Sequence, residues 1–228
     1  MTSQARELVT RDGRSVKTVA VISGLGGAVV LYHAEPSVPI TVYETSQRMM
    51  AIPDLLIDAL IVRLIETAVA PRLNVVPPPA NATGVDFGVW DARAIGAKIL
   101  SLGKRDEIDA YIIACRDKRA IESGWFQTFS GLGLYHRDAL FFEITDVFAA
   151  YRIAVVNART GEIIADREAG IETGIFESAL PRKRVAKSRW PGKDTPQPAD
   201  QIPLLRDDLH ALIDESVPWT LRELELTP

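Results

Sequence analysis

VFAAYRIAVVNARTGEIIADRE, residues 147–168, joins two strand-like runs through a turn rich in Asn, Thr and Gly. Val147, Ala149, Tyr151, Ile153 and Val155 share one face of a period-2 pattern, and Val156 to Asp166 carries the chain back. The stretch marks a sheet and the place where it reverses direction, and it carries no chemistry.

Upstream, Val16 to Ser23 (VKTVAVIS) is nearly all apolar, as a strand buried on both faces of a parallel sheet must be. Gly24 to Gly27 breaks it. Ala28 to His33 is a second apolar run, and Ile40 to Glu44 alternates, flanked by Pro36 and Pro39. Pro53 then opens a helix, because proline suits the first turn, where its missing donor costs nothing. Ile57, Leu60, Ile61, Leu64 and Ala68 form its apolar stripe, and Leu55, Val62 and Val69 fall outside that stripe. The spacing therefore predicts a second covered side, against another element or another subunit.

Leu73 to Val76 is a short strand ended by three prolines. Asp91 caps a helix to about Leu102 with Ala94, Ile95, Ile99 and Leu102 inward, and Asp109 to Cys115 is a further buried strand. Alternating strands and helices between residues 16 and 115 imply parallel pairing with right-handed crossovers. The expectation is an α/β fold with a mixed sheet, a parallel βαβαβ core extended by a long antiparallel hairpin. Residues 1–15 form an arm and 16–175 the α/β domain. Residues 176–199 are an irregular, solvated Pro/basic-rich connection, and 200–228 a helical tail in which Leu205, Leu209, Leu212 and Ile213 face inward.

With 228 residues, 47% of them apolar and 25% charged, the chain can bury a core without metal or disulfide. Its formal charge of −4 argues against wholesale nucleic-acid binding, which needs excess Lys and Arg on phosphates. The apolar window Ala51–Ala70 holds Asp54, Asp58, Arg63 and Glu66, too many charges for a bilayer. With one cysteine and no visible signal peptide, the chain as written reads as soluble and intracellular. A periplasmic chain trimmed of its export signal would read alike.

Four groups of residues invite a chemical reading. The first is Gly24, Gly26 and Gly27 followed by Glu44, which imitates a dinucleotide fingerprint with glycines for the pyrophosphate and the acid for a ribose. Val29 stands where the third glycine belongs, and too few residues precede Pro39 for a crossover helix, so a glycine-hinged strand or hairpin is the favoured reading. The second is the repeated Ser-Gly-Leu-Gly at Ser23 and Ser130, each copy followed by a Tyr-His pair, Tyr32-His33 and Tyr135-His136. Paired in a sheet, these could face one pocket, and glycine-rich turns can cradle an anion. The plainer reading is strand bulges with Tyr-His pairs on an exposed face.

The third is Cys115 at a strand end, with Arg116, Lys118 and Arg119 nearby to depress its pKa, against the plainer reading of a small buried hydrophobe. The fourth is the basic run Arg182, Lys183, Arg184, Lys187, Arg189 and Lys193 around Trp190, a possible contact for an anionic surface or, more simply, a solvated loop. No catalytic residue is assigned and no cofactor is implied. No metal site is expected, because the three histidines lie far apart in sequence and no cysteines pair.

In ordered pattern, residues 17–168 resemble the α/β domain of bacterial envelope lipoproteins of the curli-export type and the amino-terminal domain of TolB. The carrying segments are KTVAVIS, DLLIDALIVRLIETAVA, RLNVVPPP, the Asp91 helix, DAYIIACRD and YRIAVVNARTGEIIADRE. The resemblance implies an assembly or partner-binding role without catalysis. The expectation is thus a non-catalytic interaction module that self-associates through apolar helix and sheet surfaces. The alternative is a binding protein or enzyme for a nucleotide or other phosphorylated ligand at Gly24–Gly27.

Overall fold

The computed structural model describes residues 8–11, 13–36, 43–103, 105–120, 128–138, 143–172, 178–192 and 195–227. The expectations placed on residues 1–7, on Ile40 to Val42, on Gly174 and on Lys193 lie outside them. The chain forms an α/β fold with one mixed sheet and three helices packed on it.

In chain order the strands are β1 (Thr18–Gly24), β2 (Ala28–Pro36), β3 (Tyr43–Ala51), β4 (Asn74–Val75), β5 (Ala110–Arg116) and β6 (Lys118–Ala120). There follow β7 (Thr128–Asp138), β8 (Glu143–Asn157), β9 (Ile163–Glu168), β10 (Ile171–Glu172), β11 (Ser178–Ala179) and β12 (Arg182–Arg184). The helices are α1 (Ile57–Val69), α2 (Ala92–Ser101) and α3 (Gln201–Glu223). Pairing runs β3-β2-β7-β8-β5-β1-β4, with β9 and β12 also on β8, β6 on β7, and β10 with β11 as a separate pair. β1 lies parallel to β4 and β5, as the apolar runs predict, and β8 and β9 form the antiparallel hairpin.

β8 organises the sheet. The carbonyl of Ala150 accepts from Asp117 just beyond β5, and Ala150 also pairs with Gly131 of β7. Its neighbours bond the opposite way: Ala149 donates to Pro181 beside β12, and Tyr151 accepts from Ala169 beside β9. Backbone groups alternate between the two edges of a strand. β5 and β7 therefore follow one another along one edge of β8, and β9 and β12 along the other. Since β1 pairs with β5 and β2 with β7, β1 and β2 make one ribbon that bends at Leu25–Gly27.

One face of the sheet packs on α1 and α3 through Val19, Val21, Leu31, Leu134, Val147 and Ile153. The other face packs on α2 through Ile22, Ile113, Ile95 and Ile99. Farther along that second face, Phe129, Tyr135 and Phe148 form an aromatic cluster.

Three local expectations change. Helix α1 begins at Ile57, not at Pro53, because Asp54 and Leu56 take left-handed backbone angles (φ 52° and 48°). Its second apolar side is covered within the chain: α3 packs along it, Leu55 and Val69 are buried, and His210 Nε2 bonds the carbonyl of Leu55 at 2.7 Å. Asp91 caps α2 by accepting from the amide of Ala94 at 2.8 Å, but Ala94 itself faces solvent. The segment expected to be irregular and solvated is exposed at Arg182–Arg184 but regular there, supplying β12, and Trp190 packs against the core.

Helix α2 meets the β8–β9 turn through two glycines. A Cβ on Gly96 would lie 2.4 Å from the carbonyl oxygen of Gly161, which itself sits at φ +70°. Gly96→Ala must push the turn away, a change costing about 1–3 kcal/mol. The denaturant midpoint should fall accordingly, and an unchanged midpoint would contradict the close approach.

Candidate functional site

A cleft of about 570 Å³ opens where β1 bends into β2 and β5 gives way to β7. It sits at the carboxyl ends of the parallel strands β1 and β5, where open α/β sheets place ligands. Both Ser-Gly-Leu-Gly copies contribute, Ser23 to Gly26 from one and Ser130 to Leu132 from the other, together with Gly27, Tyr32 and Arg116. Arg48, Asp58 and Asp86 complete the polar part of the wall.

The bend is held by Asp58 from the first turn of α1. Its carboxylate accepts from Ser23 Oγ at 2.6 Å and from the amides of Leu25 and Gly26 at 2.9 and 3.0 Å. Gly24 is required because a Cβ there would lie 2.5 Å from the carbonyl oxygen of Val85. Gly26 is required for its φ of +81°. A dinucleotide loop needs a helix after the glycines and free amides facing the phosphate. Here strand β2 follows, and the protein's own carboxylate takes the amides of Leu25 and Gly26. Glu44 pairs with Glu35, about 23 Å along β2 from Ala28 at about 3.3 Å per residue. It stands far from the glycines that the dinucleotide alternative would have it assist, and the favoured reading of a glycine-hinged strand or hairpin fits β1–β2–β3.

On the facing wall, Arg116 grips Asp86 through two contacts of 2.7 and 2.9 Å. The amide of Gly88, then Arg116, hold the Asp86 carboxyl below the usual carboxylate range, against the opposing effect of burial. Gly131 makes room for this arginine, since a Cβ would stand 3.1 Å from Arg116 Cδ. Arg48 donates to the carbonyls of Gly192 and Thr195. The Nε atoms of Arg48 and Arg116 and Oγ of Ser130 are buried in this wall without a hydrogen-bond partner among the described residues. Burial raises the Tyr32 phenol, only partly offset by a hydrogen bond with the Ser130 backbone.

The two Tyr-His pairs do align, Tyr32 with Tyr135 and His33 with His136 across the parallel β2–β7 ladder. The pleat then separates them, because successive side chains point to opposite faces. Tyr32 lines the cleft and meets Phe129 edge-on at 5.2 Å, and Tyr135 joins the same aromatic cluster. His33 and His136 lie on the α1/α3 face and are buried rather than exposed.

There the imidazoles converge on one carboxylate. His33 Nε2 is 2.8 Å from Asp138 Oδ2, and His136 Nε2 is 3.2 Å from Asp138 Oδ1. Trp190 stacks on both rings, 5.5 Å from His33 and 5.1 Å from His136. Burial lowers the His136 pKa, outweighing the pull of Asp138. Burial also opposes ionisation of Asp138, but hydrogen bonds and charge from the two histidines hold its carboxyl below the usual range. The expectation of no clustered ligands assumed proximity in sequence; strand register brings these residues together instead.

The basic run is largely neutralised. Lys183 pairs with Asp208 at 2.8 Å, Arg184 with Asp146 at 2.5 Å, Lys187 with Glu143 at 2.5 Å, and Arg189 approaches Asp208 at 3.7 Å.

Cys115 does not line the cleft. It lies fully buried in the core beneath α2, and burial, then Asp117, push its thiol up to about 12 despite Arg152 and Arg116. The plainer reading of Cys115 as a small buried hydrophobe holds, and the alternative of activation by neighbouring cations does not. Because the folded chain keeps a proton that the unfolded thiol releases above pH 9, this group withdraws stability as pH rises from about 9 toward 12. A disulfide reagent at pH 8 should leave the native protein unmodified and label one thiol per chain after denaturation. Stoichiometric labelling of native protein would refute the burial.

Compared with known proteins, the chain matches no family model and no curated sequence, so the cleft has to be interpreted from its own residues.

Proposed function

We propose that the protein binds a small molecule bearing a carboxylate or phosphate in the cleft between the two Ser-Gly-Leu-Gly segments. The observation that carries this reading is the set of three buried donors without partners among the described residues, Arg48 Nε, Arg116 Nε and Ser130 Oγ, on residues that line one cavity. A buried donor left unpaired costs about 1–3 kcal/mol, and an acceptor oxygen relieves that cost where the wall shifts to expose these atoms to the cleft. The volume of about 570 Å³ falls within the usual range for small-molecule sites. Asp58 and Asp86 do not cancel this preference, because internal donors already occupy both carboxylates. The anion is expected at the arginine wall and not on the Leu25 and Gly26 amides. The mixed lining, with Leu25, Val30, Met49 and Leu132 beside the polar groups, suits a ligand with an apolar body.

A thermal-shift screen of nucleotides, sugar phosphates and carboxylic acids tests this. A ligand at a hundredfold over its dissociation constant stabilises by about 2.7 kcal/mol. The shift should shrink in Arg116→Met, and a flat response across every compound class would sink the reading.

A second reading, an assembly module, is favoured by β3. Among the described residues this nine-residue strand pairs with β2 alone and exposes Met49, leaving one edge to template another strand. Self-association through α1 has less support, since α3 covers its second side. If β3 is the contact, wild type should sediment as a dimer or larger and Met49→Lys as a monomer. Identical monomeric profiles would rule that contact out.

No helix among the described residues is long and apolar enough to cross a membrane.

A further inference from the structure

The geometry points to a second site, separate from the cleft: His33, His136 and Asp138 bind a divalent transition-metal cation of the zinc type. Each residue is delivered by the sheet itself. His33 and His136 are lateral neighbours in the parallel β2–β7 register, which puts their side chains on the same face. Asp138 follows His136 by two residues on β7 and so projects from that face as well. No loop has to fold for the donors to meet.

The donor atoms all lie within 4.8 Å of one another. Tetrahedral zinc with bonds of about 2.0–2.1 Å needs ligand atoms about 3.4 Å apart. The contacts of 2.8 and 3.2 Å to Asp138 therefore need to open by only a few tenths of an ångström to admit an ion. Two imidazole nitrogens and one carboxylate oxygen suit zinc and its first-row neighbours better than calcium or magnesium, which prefer all-oxygen shells. Three protein ligands leave a fourth position for water or an outside ligand.

The surroundings of His136 match what a metal-binding histidine requires, and those of His33 do so in part. Coordination through Nε2 places the ring proton on Nδ1, where it needs an acceptor. His136 Nδ1 lies 2.8 Å from Thr145 Oγ1, its cross-strand partner on β8, in the position of an outer-shell orienting group. The Nδ1 atom of His33 is buried with no partner among the described residues, so that ring is fixed by its Nε2 contact alone and by the rings around it. Trp190 stacks on both imidazoles, within 24° and 9° of parallel, and restricts their rotation. Asp138 is 40% exposed along its side chain and provides the route from solvent.

Equilibrium dialysis of the full chain against zinc chloride at pH 7.5 tests the site, with cobalt(II) as a spectroscopic probe. Wild type should retain one zinc per chain and develop visible d–d absorption with cobalt. Asp138→Asn and His33→Asn should each lose both signals, and Thr145→Val should weaken binding by about tenfold. Far-ultraviolet circular dichroism confirms folding. If a histidine variant fails to fold, the more exposed Asp138→Asn decides alone. Wild type that retains no zinc overturns the proposal, as does zinc bound with equal stoichiometry and affinity by Asp138→Asn. Neither result bears on the cleft, whose ligand screen is run with chelator present.

Discussion

Asp58 spends its carboxylate on the Ser23 hydroxyl and on the amides of Leu25 and Gly26, and the shape of the whole cleft follows from that local neutralisation. A glycine-rich bend between two strands exposes amides that seek an anion. Supplied from α1, that anion fixes the angle at which β1 becomes β2 and ties the helix to the sheet at the point where the ribbon turns. It also removes the loop from the list of phosphate sites. The opposite wall carries Arg48 and Arg116, whose Nε atoms have no partner among the described residues. The glycines shape the cavity, and the charge of Arg116 on β5 is met by Asp86.

The cavity exists because one edge of β8 is shared. Two strands laid end to end on a fifteen-residue strand cannot pair continuously across their junction. At that junction the chain leaves β5, forms β6 and returns as β7, while the neighbouring ribbon bends. Both sides of the gap favour glycine: Gly24 because a Cβ would meet the Val85 carbonyl oxygen, and Gly131 because of its φ of +73°. A sheet break would normally cost unpaired backbone groups. Here the amide of Asp117 reaches Ala150, and Asp58 serves the bend.

Much of this was legible in residues 16–24, 110–116 and 147–168, whose period and β-branched content left few alternatives to buried strands. Asp91 announced its helix because capping is a local interaction. The errors were all non-local or backbone-strained. Pro53 looked like a helix start, but left-handed angles at Asp54 and Leu56 delay α1, and no pattern of residue types announces two non-glycine residues at positive φ. The surplus apolar side of α1 was visible, but its partner lay 140 residues away in α3. The Tyr-His repeats hinted at pairing, and the pleat determined that tyrosines and histidines would part. Asp138 escaped notice because it stands at no ligand-like spacing from His33, and Trp190 was read only as part of the basic run.

Arg152 shows why cations beside Cys115 do not activate its thiol. It faces Cys115 across the β5–β8 ladder, but it donates to Asp117 at 3.0 Å, to Asp166, and to Glu168 at 2.8 Å, while lying 4.8 Å from the Trp90 ring. Burial opposes its charge, and the flanking carboxylates, Asp117 foremost, more than restore it. A guanidinium committed to three carboxylates offers little field to a thiol, and Asp117 acts on that thiol with the opposite sign. The same logic governs the basic run at Arg182–Arg189, where acidic partners on β8 and α3 take up the cations and the segment becomes a strap that carries Trp190 onto the two histidines. In both places the formal charges read from a sequence become contacts within the fold.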